Sequence, residues 1–305
     1  MISFRFHLVS LVAVFLALGL GVLSGTTVIN RGIVTRLEEQ TADLEKGNAS
    51  LRARVDELEA DLEVWTDFGE QVAGYLVADE LAGRELLVLT QEGTDDAAVT
   101  AVQRTLEDAG ARILTLLSVS NRMSLPTEAD RLDLAQAIGE DPEQDPELLK
   151  ADAARELAED LSSASPGPEV LPELLASEFV LNLGPQLSAS DVRNLGEADA
   201  IVVVGGGTEP AAPQPERFLV PFVAAASTDG TPVAAAETLE SAYEFVTLLR
   251  SDGTVAEQIV TQDNVSQVPG EIGLVLALDD LLTTGESGHF GVKSGASGVI
   301  PPPER

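Results

Sequence analysis

Residues 85–119 read ELLVLTQEGTDDAAVTAVQRTLEDAGARILTLLSV. Glu85 to Thr90 is a short apolar run, and Gly93-Thr94-Asp95-Asp96 closes it. Thr94 or Asp95 offers a side-chain oxygen to cap a helix that continues through Leu106. Gly110 ends that helix, and Arg112 to Val119 forms the next apolar run. Strand, helix and strand at this spacing predict a βαβ unit, with a parallel pair and a right-handed crossover.

Toward the C-terminus, residues 127–178 are acidic and mostly of helical character, interrupted by Pro142, Pro146, Pro166, Pro168 and Pro172. They read as a helical insertion, with GEDPEQDP at 139–146 a solvated loop. Alternation resumes with a strand over Ala200 to Val204, which ends in Gly205-Gly206-Gly207. The pattern then predicts a helix over Pro215 to Thr228, a strand over Pro232 to Ala236 and a helix over Ser241 to Ser251. A strand over Glu257 to Thr261 and a helix over Pro269 to Leu282 follow. Strands alternating with helices make residues 84–285 a doubly wound, Rossmann-like α/β domain. Residues 286–305, rich in glycine, serine and proline, read as a flexible tail.

Toward the N-terminus, LVSLVAVFLALGLGVLSGTTVI at 8–29 carries no charge. Its helical length of roughly 33 Å matches a hydrocarbon core of about 30 Å. A cleaved signal peptide fits less well, because the run exceeds the usual apolar region and Leu23 stands where a small residue is wanted. Residues 1–30 are therefore expected to be a transmembrane signal anchor. Arg5 before the span and Arg31 and Arg36 after it scarcely set orientation. One N-terminal span before a large acidic domain is the layout that places the domain outside the cytoplasm, in the cell envelope. Ala13, Ala17, Gly21 and Gly25 recur every four residues, a small-residue stripe on which two spans can approach, although small residues are common in spans generally.

Residues 31–66 follow as heptads. Leu37, Leu44, Leu51, Leu58 and Trp65 take the d positions, and Val34, Thr41, Asn48, Val55 and Leu62 the a positions. Asn48 favours a registered two-stranded pairing, Arg54 and Glu59 sit where they attract across a parallel dimer, and Gly47 weakens the helix locally. The seam predicts a homodimer, or a hetero-oligomer with another envelope membrane protein. An amphipathic helix packed on its own domain or on another protein is the alternative.

The 305 residues contain 18 basic and 51 acidic side chains, a net charge of -33, which argues against nucleic acid and anionic lipid as partners. With no cysteine, disulfides, thiolate metal sites and cysteine nucleophiles are excluded. The two histidines, His7 and His289, lie at opposite ends, and GxSxG and HExxH are absent. No catalytic residue is assigned, and neither enzyme activity nor a cofactor is expected. Cu(I) prefers soft thiolate and thioether ligands, of which the chain offers only Met1 and Met123, so no metal ligands are assigned. The candidate ligand edge comprises Asp95 and Asp96 after the first strand, the Gly205, Gly206 and Gly207 turn, and Asp263 and Asn264 after the fifth. Against it, the triglycine turn lacks GxGxxG spacing and a P-loop lysine, and the acidic residues serve equally as caps.

The opening MISFRFHLVSLVAVFLALGLGVLSGT (1–26), the heptads, and the closing TQDNVSQVPGEIGLVLALDDLLTTGESGHFG (261–291) together resemble the actinobacterial copper-transporter MctB family, also called SteB. The resemblance implies an envelope protein with an outside domain, linked to copper homeostasis or efflux. A second view of the family implies a coiled-coil partner of another membrane protein, a scaffold in envelope assembly or cell separation with no direct copper role. Asp263, Asn264, Pro269, Gly270, Gly288 and His289 match the family's C-terminal pattern by position only. A single span forms no pore, and the ten-residue alternating segments of a membrane barrel are absent from the α/β region.

Overall fold

The computed structural model describes residues 4–162 and 169–302, without the side chains of 26–35 and Ala189. The chain divides into two compact units, Met1–Thr66 and Asp67–Arg305. Pro166 and Pro168 of the expected insertion lie outside the described residues.

Helix α1 runs over Phe4–Val77. No proline interrupts it, so every amide beyond the first turn keeps its acceptor four residues back. It also passes through Gly47, Gly69 and Gly74, and so extends beyond the end of the heptads. Apolar composition stabilises the first stretch; farther on, leucines and charged residues of good helix propensity do so.

The second unit is built on a seven-stranded sheet: β1 Glu85–Gln91, β2 Arg112–Val119, β3 Val180–Asn182, β4 Ala200–Gly205, β5 Val233–Glu237, β6 Val260–Asp263 and β7 Gly288–Gly291. Their spatial order is β3-β2-β1-β4-β5-β6-β7. Every neighbouring pair is parallel except β2 with β3. The helices are α2 Asp96–Asp108, α3 Glu128–Ile138, α4 Pro146–Asp160, α5 Val170–Ala176, α6 Ala189–Asn194, α7 Leu219–Thr228, α8 Phe245–Ser251, α9 Gly253–Ala256 and α10 Val268–Thr284.

Side-chain alternation along the strands divides the core into two layers. Leu87, Leu89, Leu117, Ile201, Val203 and Ala235 face a layer completed by Leu134 of α3, Leu157 of α4, Phe222 of α7 and Phe245 of α8. Leu86, Val88, Val202, Val204 and Ala236 face the other, completed by Val102 and Leu106 of α2 and by Leu274 and Leu278 of α10. Burial on both faces is why β1 and β4 read as unbroken apolar runs rather than as alternating ones.

Local signals set several elements as read. Asp95 caps α2, accepting a hydrogen bond from Ala97 N at 2.9 Å. The insertion forms α3, α4 and α5, and the Asp160 carboxylate accepts from Glu169 N, Val170 N and Leu171 N to start the last of them.

Other elements differ from the reading. The helix expected from Pro215 begins at Leu219, after a single 3-10 turn over Pro215–Arg217. The helix expected from Ser241 begins at Phe245, because Glu237 supplies acceptors for Phe245 N and Val246 N. The strand expected over Glu257 to Thr261 lies at Val260–Asp263, since Asp252 caps the short α9 ahead of it. β3 was not foreseen. The stretch 286–305, read as a flexible tail, contributes β7 at the sheet edge.

Candidate functional site

Within the first unit, the 22 residues Phe4–Gly25 are long and apolar enough to cross a membrane, with a mean hydropathy of 2.4 over their most apolar 18-residue stretch. Ala13, Ala17 and Gly21 are exposed along it, and a methyl group added at Gly21 or Gly25 would meet nothing within 4 Å. The heptad residues Leu37, Leu44, Asn48, Leu51, Val55, Leu58, Leu62 and Trp65 are all exposed, while Val34 lies among the side chains outside the described residues. Arg54 pairs with Glu57 on the same helix at 2.9 Å.

In the second unit the carboxyl ends of β1 and β4 are drawn together, not opened. Asp95 N donates to Gly206 O at 3.0 Å, and Ala242 N donates to Gly207 O at 2.7 Å. The Tyr243 hydroxyl accepts from Gly206 N at 2.9 Å and from Gln91 Nε2 at 3.3 Å. A Cβ on Gly207 would sit 2.1 Å from Gly93 O, so this glycine permits two loops to interlock. Gly205 faces the Phe245 ring. The triglycine turn is thus occupied by protein contacts where a phosphate would have to enter.

Asp263 and Asn264 lie elsewhere. Two strands, β4 and β5, separate β6 from β1, a distance of about 14 Å at normal strand spacing. Asp95 and Asp96 therefore do not share an edge site with Asp263. Asp96 lines a cleft beside α2, and Asn264 accepts from Gln262 Nε2 at 2.7 Å.

What surrounds Asp263 is a buried charge network that sequence reasoning missed. Arg250 Nη1 donates to Asp263 at 2.6 Å, and Val292 N and Lys293 N donate to its other oxygen at 2.6 and 2.9 Å. Gly291, at φ 125°, makes this possible: a Cβ there would meet the Asp263 carboxylate. Arg250 further donates from Nε to Thr261 Oγ1 at 2.8 Å and from Nη2 to Phe290 O at 2.6 Å. Lys293 Nζ meets Glu237 at 3.0 Å and Thr238 O at 3.0 Å. The available signal was a charge closing an apolar run, in VAAAE at 233–237 and in FVTLLR at 245–250.

His289 on β7 is half-buried, with Nδ1 3.0 Å from Thr261 Oγ1. Burial first, and the positive charge of Arg250 second, push its pKa below the usual value, against a hydrogen bond to the Ala256 backbone that raises it. Both carboxylates of the network are fully engaged, so it acts as a clamp that fastens β7 and the residues after it to the sheet. Among the described residues, no group of three or more His, Cys, Asp or Glu is placed to hold a metal ion. Met123 is wholly buried in the core, and Met1 lies outside the described residues.

The chain thus combines an N-terminal helix long and apolar enough to cross a membrane with a mixed α/β unit on a mostly parallel sheet. The chain belongs to the family described as "Copper transport outer membrane protein, MctB", whose profile matches residues 1–301. It is 27% identical to the copper transporter MctB of Mycobacterium tuberculosis, over 98% of this chain and 99% of the relative. Its identity to the copper transporter MctB of Mycobacterium leprae is also 27%, over 99% of this chain and all of that one.

Proposed function

We propose that this chain is a single-pass cell-envelope protein of copper homeostasis or efflux, acting without catalysis and through assembly on its long helix. The end-to-end match to relatives named copper transporters carries this reading. In it, Phe4–Gly25 anchors the chain, and the α/β domain stands outside the cytoplasm. The exposed heptad stripe forms a coiled coil with a second copy or with another envelope membrane protein. The domain is taken as a doubly wound, Rossmann-like one, supported by strands that extend from β1 in both directions with helices on both faces.

Copper passing through the assembly would need ligands from a partner, because thiolates are absent from this chain. Cell-associated copper under modest copper load, measured in isogenic strains with and without the gene, tests the role. Raised copper in the deletion strain is expected, with rescue by the wild-type gene and failure by Leu51→Pro, which breaks the helix inside the seam.

The exposed seam favours a second reading, a scaffold in envelope assembly or cell separation with no direct copper role. In that case copper in the deletion strain stays unchanged, while Leu51→Pro reproduces the envelope or division defects of the deletion.

A further inference from the structure

A cleft of about 510 Å³ opens on the α2 face of the sheet, at the carboxyl ends of β1 and β2. Its origin lies in the layering. Helices α3, α4 and α5 pack on the opposite face. On this one, α2 lines the cleft with Asp96, Val99, Thr100 and Gln103. Thr90, Ser118 and Leu181 are register partners across β1, β2 and β3, so all three side chains stand on the same face.

The Thr90 hydroxyl is satisfied by Val204 O at 2.9 Å. The Ser118 hydroxyl belongs to a residue only 2% exposed at the wall of the cleft and has no hydrogen-bond partner among the described residues. The Thr94 hydroxyl, on the loop at the same cleft and 8% exposed, is also unpartnered. Buried polar groups are ordinarily paired, and two orphaned hydroxyls at one cavity point to an occupant that pairs them.

The lining also states the chemistry. Its charged members, Glu92 and Asp96, are both acidic, and no basic side chain takes part. An anionic ligand is repelled there, and an ammonium group is attracted. Leu116, Leu181 and Leu183 supply an apolar wall against which C–H groups can rest. The volume suits a ligand of monosaccharide size.

We propose that this cleft binds a small organic ligand that carries an ammonium group and several hydroxyls. The ammonium group meets Asp96 and Glu92, and the hydroxyls complete the pairing of Ser118 and Thr94. The site is independent of the copper role.

Calorimetric titration of the full chain in detergent with glucosamine tests it, with glucose and glucose 6-phosphate as controls. Saturable glucosamine binding is expected, about tenfold weaker for glucose, the equivalent of one lost charged contact, and absent for the phosphate. Asp96→Asn and Ser118→Ala are each expected to weaken glucosamine binding several-fold while leaving thermal unfolding of the domain in place. The absence of saturable glucosamine binding overturns the proposal, as does equal binding of glucose, or affinity unchanged in both variants.

Discussion

The guanidinium of Arg250 lies 2.6 Å from the carboxylate of Asp263, and the two side chains are 3% and 0% exposed. One comes from a helix and the other from the end of a strand; Arg250 also holds Phe290 of β7 and Ser294 beyond it, and Asp263 holds Val292 and Lys293. Removal of one member leaves the other charged and sealed away, which typically costs about 3–5 kcal/mol. Arg250→Met is therefore expected to lower the urea midpoint of the full chain in detergent, followed by circular dichroism, without a change in slope. An unchanged midpoint would show that the pair adds nothing to stability.

Lys293 is less sealed than Arg250, and its partner Glu237 keeps hydrogen bonds from Phe245 N and Val246 N. Lys293→Met is expected to act locally. Amide exchange should quicken at 289–293 and hold steady in β1 and β4, as measured by hydrogen-exchange mass spectrometry.

Protonation of His289 places a second cation beside Arg250 and takes away the acceptor that faces Thr261. Its folded pKa is depressed, so between that value and about 6.5 the unfolded chain binds more protons. The stability it contributes is present above about 6.5 and is lost as pH falls through the folded value. Thermal unfolding of wild type and His289→Gln across pH 7.5 to 5 should show a steeper loss in the wild type; parallel curves would remove His289 from the account.

Gly207 has no room for a side chain, since its Cβ would meet Gly93 O at 2.1 Å. Gly207→Ala should prise the loops after β1 and β4 apart and destabilise the domain by about 1–3 kcal/mol. Gly253→Ala, at a position where a Cβ meets nothing within 4 Å, serves as the control in the same urea titration.

Asp160 accepts from three successive amides at the start of α5 while only 7% exposed. Asp160→Ala leaves those donors unpaired and is expected to cost about 2 kcal/mol. Proteolysis within 161–178, followed by mass spectrometry, should rise with it.

The βαβ unit at 85–119 was legible because its punctuation is local. Asp95 caps within its own turn, and Gly110, at φ 89°, turns the chain where a side chain would be strained. The apolar runs of β1, β2 and β4 carried their own evidence through burial on both faces. β3 has three residues, too few to show a period, and its pairing with β2 is a long-range choice. β7 lay in a glycine-rich stretch with no strand pattern, and the Asp263 clamp holds it.

The candidate edge fared according to the same division. Asp95, Asp96, Asp263 and Asn264 were recognised as strand-end polar residues, but sequence carries no information on which strand ends are neighbours. Strand order separates Asp263 from Asp95, and the interlocked glycines occupy the space between the β1 and β4 loops. Arg250, Lys293 and Glu237 escaped notice because each sits in a different element, and their meaning lies only in their meeting.

By itself, the sequence determined whatever depends on neighbours along the chain: an uncharged run long enough to span a membrane, a heptad stripe, alternating strands and helices, and a strongly acidic surface. Periodicity and charge density are local sums, readable without a fold. Only the tertiary structure decided the order of the strands, the closure of the β1–β4 crevice, the fastening of the C-terminal residues and the unpaired hydroxyl of Ser118 beside an acidic cleft. Each of these rests on groups far apart in sequence, brought together by burial of the two apolar faces of one sheet.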